Sequence, residues 1–208
     1  KLSIFTNGKA TYANKLFPHG KGNITGVLSN VLELRTALDV HFSEAYEACV
    51  VYIPKIMITE VADPKNNVSA RFVELYNAGN SEVNLTGWKL NKYLNGATTV
   101  SGSPLALTGI VIPAGGFVII AGSDYKILFD DIPNIETTYI SGNGDDVYEL
   151  VNNTGARIDI FGVIGVDGNG TNWEYEDGRA ARNISISEPN PLFTESEWTI
   201  YSAASNSL

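Results

Sequence analysis

Two glutamates, Glu60 and Glu74, are the residues of this chain with the most chemistry to offer, because each lies in a strand-like apolar run, residues 56–61 and 72–76. A pair of neighbouring carboxylates is what a glycosidase uses, one as the acid and the other as base or nucleophile. That hydrolase chemistry needs a raised pKa on one carboxylate and a cleft that holds the sugar. The alternative is a scaffold role, in which each carboxylate accepts hydrogen bonds from a neighbouring donor. The candidate donors are Lys89, Arg71, Arg157 and backbone N–H groups.

Side chains alternate between the two faces of a strand, and this sets which residues accompany each carboxylate. The alternation places Glu74 on one face with Phe72 and Tyr76. The residues expected to share a face with Glu60 are Ile56 and Ile58.

A second candidate chemistry is calcium binding in the acidic loop of residues 166–178. Asp167, Asn169 and Thr171 carry oxygens at the alternate spacing with which an EF-hand loop begins. The loop departs from that pattern at its sixth and twelfth positions, where it has neither the glycine nor the glutamate. An ordinary hairpin turn is therefore the alternative.

A third candidate is a ligand-binding face that combines aromatic and acidic side chains. Trp173 and Tyr175 lie in a polar loop, so Trp173 is expected to be the most exposed of the three tryptophans. Asp145 and Asp146 supply a neighbouring acidic loop. Such a face would suit a carbohydrate or a calcium-assisted ligand, whereas packing in the core or at its rim is the usual role of a large aromatic residue.

Composition excludes several classes of function. The 208 residues carry a formal net charge of −9, with 14 Lys and Arg against 23 Asp and Glu, so no nucleic-acid partner is expected. A single cysteine forms neither an internal disulfide nor a zinc site. The two histidines belong to no metal-binding or nucleophile motif. No apolar run reaches the ~20 residues of a transmembrane helix. The sequence contains no signal peptide and does not begin with Met, so we expect a mature form or a fragment.

Short segments of period two, separated by Gly, Asn, Asp and Pro clusters, predict an all-β antiparallel sandwich or barrel. The predicted strands are residues 56–61, 72–76, 83–90, 109–112, 117–121, 146–151 and 156–161. Helical signals are limited to a turn over residues 125–129 and a capping box that begins at Thr194. The segment 31–38 is compatible with a helix or a strand. A boundary near residues 50–55 separates a short N-terminal β segment, 1–50, from the main domain, 51–208.

The order of several motifs in the main domain resembles the lamin tail domain. The matching stretches include IMITEV, FVELYN, VNLTGWKL and the IPAGG that precedes FVIIAG, at residues 56–61, 72–77, 83–90 and 112–122. Further matches lie at residues 144–150, 155–159, 170–182 and 197–199, and the last two stretches are similar to the version found in bacterial secreted and surface proteins. Residues 20–40, GKGNITGVLSNVLELRTALDV, resemble the final strands of an OB-like domain that precedes such tails in bacterial surface lipoproteins.

The resemblance implies an immunoglobulin-like β-sandwich that works as a non-catalytic binding or spacer module, not as an enzyme. It places the strands of Glu60 and Glu74 side by side and favours the scaffold role for both. The implied location is extracellular, or the outer-membrane surface or periplasm of a bacterium, with a lipid anchor upstream of the chain. The implied partner is a protein or a polysaccharide at the cell surface, and no cofactor is expected unless calcium is bound.

Overall fold

The chain divides into two units, Lys1–Tyr52 and Ile53–Leu208, and the regular secondary structure of their described residues is mainly β-strand. The computed structural model describes residues 4–5, 8, 10, 21–44 and 53–201. We call the first unit the N-terminal unit and the second the sandwich unit.

Short strands make up the described part of the N-terminal unit. They are β1 (Ile4–Phe5), β2 (Lys21–Ile24), β3 (Val27–Leu28), β4 (Leu32–Glu33) and β5 (Val40–Glu44). Strand β4 pairs with β1 in parallel and with β3 antiparallel, while β2 pairs with β5 antiparallel.

The segment 31–38 is neither one helix nor one strand, because a 3-10 turn over Ala37–Asp39 follows β4. Thr36 and Asp39 form a capping box there: the Thr36 hydroxyl accepts from the Leu38 N–H at 3.2 Å, and the Asp39 carboxylate accepts from the Thr36 N–H at 3.1 Å. Arg35 donates to the same carboxylate at 3.0 Å. The OB-like character of residues 20–40 stays a prediction.

The sandwich unit is an immunoglobulin-like β-sandwich, as the fold prediction states. Its strands are β6 (Ile56–Ala62), β7 (Phe72–Asn77), β8 (Val83–Asn84), β9 (Lys89–Tyr93), β10 (Leu105–Ala106), β11 (Val111–Ile112), β12 (Phe117–Ala121), β13 (Ile135–Glu136), β14 (Val147–Val151), β15 (Arg157–Phe161), β16 (Arg179–Arg182) and β17 (Trp198–Tyr201). The larger sheet has six strands in the order β13-β12-β7-β6-β16-β17, and the smaller sheet has four in the order β10-β9-β14-β15. A further pair, β11-β8, is antiparallel.

The core lies between the two sheets and is built from alternate residues of each strand. Val73 and Leu75 of β7 and Leu150 of β14 are fully buried in it. Phe161 is the aromatic centre of one end of this core, where several rings meet it edge to face. These rings belong to Trp173, Tyr175, Phe193 and Trp198.

Most predicted strands are present, with one informative exception at residues 83–90. That run is two strands, β8 and β9, separated by a turn in which the Trp88 N–H donates to the Leu85 carbonyl at 2.9 Å. Gly87 adopts a φ of +86° in this turn, a backbone conformation that a β-branched residue would resist. The turn lets Trp88 enter the core, where it is 4% exposed.

The predicted helical turn is confirmed as helix α1 (Tyr125–Phe129), preceded by Asp124. A 3-10 turn also forms at Glu195–Glu197, but the Thr194 hydroxyl donates to the Leu192 carbonyl at 3.4 Å and makes no cap hydrogen bond. The capping box expected at Thr194 is therefore wrong. A 3-10 turn over Pro64–Asn66 follows β6.

Candidate functional site

Glu60 and Glu74 face each other across the central strands of the larger sheet, where Glu60 of β6 is in register with Glu74 of β7. The prediction that the two carboxylates are neighbours is confirmed. A β-bulge between Ile58 and Glu60 adds a residue to β6 and shifts its alternation. Glu60 therefore lies on the outer face with Glu74, while Ile56 and Ile58 point into the core, so the prediction that these three residues share a face is wrong.

The outer face of this sheet carries three rows of side chains that run across the strands. The middle row holds the two carboxylates, with Ala181 of β16 in register beyond Glu60. One flanking row holds Met57, Tyr76 and Phe117. The other flanking row holds Ala62, Phe72, Ala121 and Arg179.

A groove of about 360 Å³ opens over the middle row, which holds the two carboxylates, and over the flanking row of Met57, Tyr76 and Phe117. We call it the carboxylate groove. Its residues on β6, β7 and β12 are Met57, Thr59, Glu60, Glu74, Tyr76 and Phe117, and its far wall is formed by residues 181–184 and Ile186. Because the far wall comes from the end of β16 and the loop after it, it is remote in sequence from the strands that carry the glutamates.

One wall of the groove is aromatic. The rings of Tyr76 and Phe117 stack at 4.5 Å between centroids with an interplanar angle of 30°. Phe117 remains 53% exposed, and Ile184 on the opposite wall is fully exposed. The exposed Phe117 ring stacked on the half-buried Tyr76, beside an exposed aliphatic side chain, is a surface that favours a ligand with an apolar part.

Helix α1 closes the outer face beyond the carboxylates. Phe72 contacts Tyr125 at 5.3 Å and Phe129 at 5.4 Å between ring centroids, both edge to face. This apolar cluster removes water from one side of the glutamates. It therefore contributes to the burial that shapes their electrostatics.

Burial raises the pKa of both carboxyl groups, and each is opposed by a different donor. Arg179 donates to Glu60 at 3.1 Å, which partly offsets the effect of burial on that pKa. For Glu74, burial raises the pKa, the hydrogen bond from the Thr59 hydroxyl at 2.6 Å lowers it, and the charge of Glu60 raises it further. Arg179 also stacks on the ring of Tyr201, with 4.5 Å between its guanidinium carbon and the ring centroid.

The prediction of the side chains that donate hydrogen bonds to the two glutamates was wrong. Arg71 donates to Asp63 at 2.6 Å, Arg157 donates to Glu149 at 2.6 Å, and Lys89 lies on the other sheet. The partners Arg179 and Thr59 were missed, since Arg179 reaches Glu60 through the long-range pairing of β16 with β6.

A raised pKa and a groove are also what an acid–base pair needs. Besides the two glutamates, the described residues that line the carboxylate groove include no histidine, aspartate or lysine that could act as an acid or a base. One of the two glutamates is already tied to Arg179. The arrangement is chemically suited to holding a cation or several hydrogen-bond donors.

Trp173 and Tyr175 are core residues, so the prediction of an exposed aromatic platform is wrong. They are 4% and 1% exposed, and both pack edge to face on Phe161. The cause is the loop 166–170, which folds back over the Trp173 ring. A Cβ at Gly168 would approach that ring within 2.5 Å, so only glycine fits this contact.

The acidic pair Asp145 and Asp146 is buried and holds loops together. Asp146 accepts from the Asn95 N–H at 2.7 Å and from the Asn143 N–H at 3.0 Å, and it is 1% exposed. Burial raises the pKa of both carboxyl groups, and the charge of Asp167 raises that of Asp145 further. An exposed acidic face at this pair, as expected from the sequence, is wrong.

The candidate calcium ligands form a turn whose oxygens serve the loop itself. Asp167 accepts from the Asn169 N–H at 3.1 Å, and the Thr171 hydroxyl donates to the Gly168 carbonyl at 2.6 Å. Among the residues that the structure describes, no group of three or more His, Cys, Asp or Glu side chains is placed to hold a metal ion.

A buried ion pair that the sequence did not reveal links the two sheets. Arg182 of β16 donates to Asp159 of β15 at 3.0 Å, with side-chain exposures of 1% and 0%. Asp159 also accepts from the Ile58 N–H at 2.6 Å, beside the bulge, and from the Asn190 N–H at 2.9 Å. Despite these partners, burial raises the pKa of Asp159 to about 6.

Within the described part of the chain, none of the helices has the length and apolar composition that a membrane crossing requires. No curated protein matches the chain. The family profile described as Lamin Tail Domain matches residues 52–165, more than half of the 208 residues. This match covers the strands of both glutamates and the aromatic wall, and it agrees with the observed immunoglobulin-like sandwich. The chain therefore belongs to the lamin tail domain family, a family of non-catalytic immunoglobulin-like domains.

Proposed function

We propose that this chain is a non-catalytic binding module of a bacterial exported or cell-surface protein, and that the carboxylate groove is its recognition surface. The observation that carries the proposal is Glu74, a half-buried carboxylate that opens into a groove beside the exposed Phe117 ring and the Tyr76 ring stacked on it. Buried charges are normally paired with an opposite charge, so a half-buried carboxylate whose partner is the uncharged Thr59 hydroxyl favours a ligand that brings a donor to it.

The partner is a protein or a polysaccharide at the cell surface. The Tyr76–Phe117 stack is the observation that supports a carbohydrate as the second candidate, because sugar rings pack on exposed aromatic faces while carboxylates accept from their hydroxyl groups. Calcium assistance through Asp167, Asn169 and Thr171 belongs to that second candidate. A nucleic-acid partner is disfavoured by the net charge of −9.

The proposed location is the outside of a bacterial cell or its periplasm, with a lipid anchor upstream of the chain. The similarity of residues 170–182 and 197–199 to the secreted form of the domain supports this location. A spacer role is the alternative in which the groove binds nothing.

Retention of the full chain on immobilised proteins and polysaccharides, with calcium and with a chelator, tests the proposal. A binding module is retained by at least one partner, and Phe117→Ser, which removes one ring of the aromatic wall, abolishes that retention. Retention on no partner in either buffer would leave the spacer role. Retention that Phe117→Ser leaves intact would place recognition elsewhere on the sandwich.

A further inference from the structure

The carboxylate row carries more negative than positive charge. Arg179 pairs with Glu60 at 3.1 Å, whereas the partner of Glu74 is the uncharged Thr59 hydroxyl. Within residues 53–201, no lysine or arginine forms an ion pair with Glu74. Like charges directly opposite each other on antiparallel strands destabilise a sheet, so this position favours the arrival of a cation.

The aromatic wall lies one row away from the carboxylates on the same face. Tyr76 follows Glu74 by two positions on β7, which separates the rows by about 7 Å along the strand. Met57 and Phe117 are in register with Tyr76 on the strands to either side. An apolar row beside a charged row matches a side chain with an aliphatic stem and a cationic tip.

We propose that the carboxylate groove binds a lysine or arginine side chain presented by a partner polypeptide, with its cation at Glu74 and its stem against Tyr76 and Phe117. This inference rests on the proposed binding function and names the chemistry of the partner. Glu60 stays with Arg179 and adds to the negative potential. The stacked rings pack against the aliphatic stem of that side chain, as apolar surface does with long basic side chains whose charged tip lies elsewhere.

Other occupants fit this groove less well. A divalent metal ion needs more oxygen ligands than two carboxylates, one of which is held by Arg179. A neutral sugar would accept the aromatic wall but leave the charge of Glu74 without a counterion. The charge of Glu74 therefore favours a basic polypeptide over a polysaccharide.

Panning of a random peptide library on the full chain tests the inference. We expect the retained peptides to be enriched in Lys or Arg and to bind the E74Q variant about tenfold or more weakly. The matched control is E82Q, which removes the same charge from an exposed loop residue that does not line the groove. Since the two variants have the same net charge, a loss confined to E74Q is not an effect of overall charge.

Two results would overturn the inference while leaving the binding function intact. One is a set of retained peptides without enrichment in Lys or Arg. The other is a set of basic peptides that bind E74Q as tightly as the unchanged chain. If no peptide is retained and a polysaccharide is, the partner class is wrong; if neither is retained, the binding function fails as well.

Discussion

Replacement of Glu74 by glutamine removes one of two like charges that face each other across β6 and β7. The amide oxygen still accepts from the Thr59 hydroxyl, so the hydrogen bond at 2.6 Å is preserved. Opposed like charges on paired strands cost about 0.2–1 kcal/mol. We therefore expect E74Q to raise the free energy of unfolding at pH 8 by up to about 1 kcal/mol, a Tm increase of about 2–4 °C for a protein of this size.

The gain in the free energy of unfolding that E74Q gives at pH 8 should decrease as the pH is lowered. Burial and the charge of Glu60 raise the folded pKa of Glu74, so this carboxyl group favours the folded state fully below its unfolded pKa and loses that contribution as pH rises through the folded pKa. Glutamine imitates the protonated form at every pH. The difference between E74Q and the unchanged chain should therefore vanish near pH 4.

Urea unfolding followed by tryptophan fluorescence measures this difference, because Trp88, Trp173 and Trp198 all lie in the sandwich unit. E60Q is the matched comparison, since it removes the same charge but also strips Arg179 of its carboxylate. We expect E60Q to be less stable than E74Q by about 0.5–1 kcal/mol. If E74Q lowered the free energy of unfolding at pH 8 by more than about 1 kcal/mol, the reasoning would be refuted, because the folded protein would then stabilise the charge of Glu74.

Three further outcomes follow from the buried groups of the sandwich unit. Trp173→Ala should lower the free energy of unfolding in urea by about 3–5 kcal/mol, as for a large core aromatic residue; a decrease below about 1 kcal/mol would instead support an exposed Trp173. Asp159→Ala should lower the free energy of unfolding by about 3–5 kcal/mol because it leaves Arg182 buried with only the more distant Glu197 carboxylate, 3.8 Å away, and adding Arg182→Met should recover much of that loss; no recovery would show that the pair is not coupled. Since burial raises the pKa of Glu60, Glu74, Asp145 and Asp146, and that of Asp159 to about 6, the Tm should rise as pH falls from 8 to 5; a Tm that falls over this window would contradict these directions.

Local pattern was sufficient to predict most of the sandwich. The runs 56–61 and 72–76 are strands because β-branched and aromatic residues alternate there over a buried face. The Thr86–Gly87 turn shows where the strand prediction failed, since the apolar positions change there from odd to even numbers and that change of phase marks the break in the strand. A positive φ at a single glycine decided the outcome there.

The candidate site was harder to predict because tertiary contacts build it. The bulge between Ile58 and Glu60 moves one glutamate to the opposite face, and bulges leave little trace in a hydrophobic pattern. Trp173 is remote from Phe161 in sequence, so its polar neighbours suggested exposure. Gly168, which contacts the Trp173 ring, was the one residue of the loop that could have indicated burial, and glycine is too common in polar loops to indicate it.

The pKa of the Glu74 carboxyl group, measured by carbon-detected NMR in the full chain, tests most directly whether the charge of this carboxylate is left uncompensated within the fold and so favours a bound cation. We predict a midpoint above the ordinary value of 4.5, and a lower midpoint once a lysine-containing peptide is bound. A midpoint at or below 4.5 in the free chain would contradict this, because it would show that the Glu74 charge is already compensated within the fold.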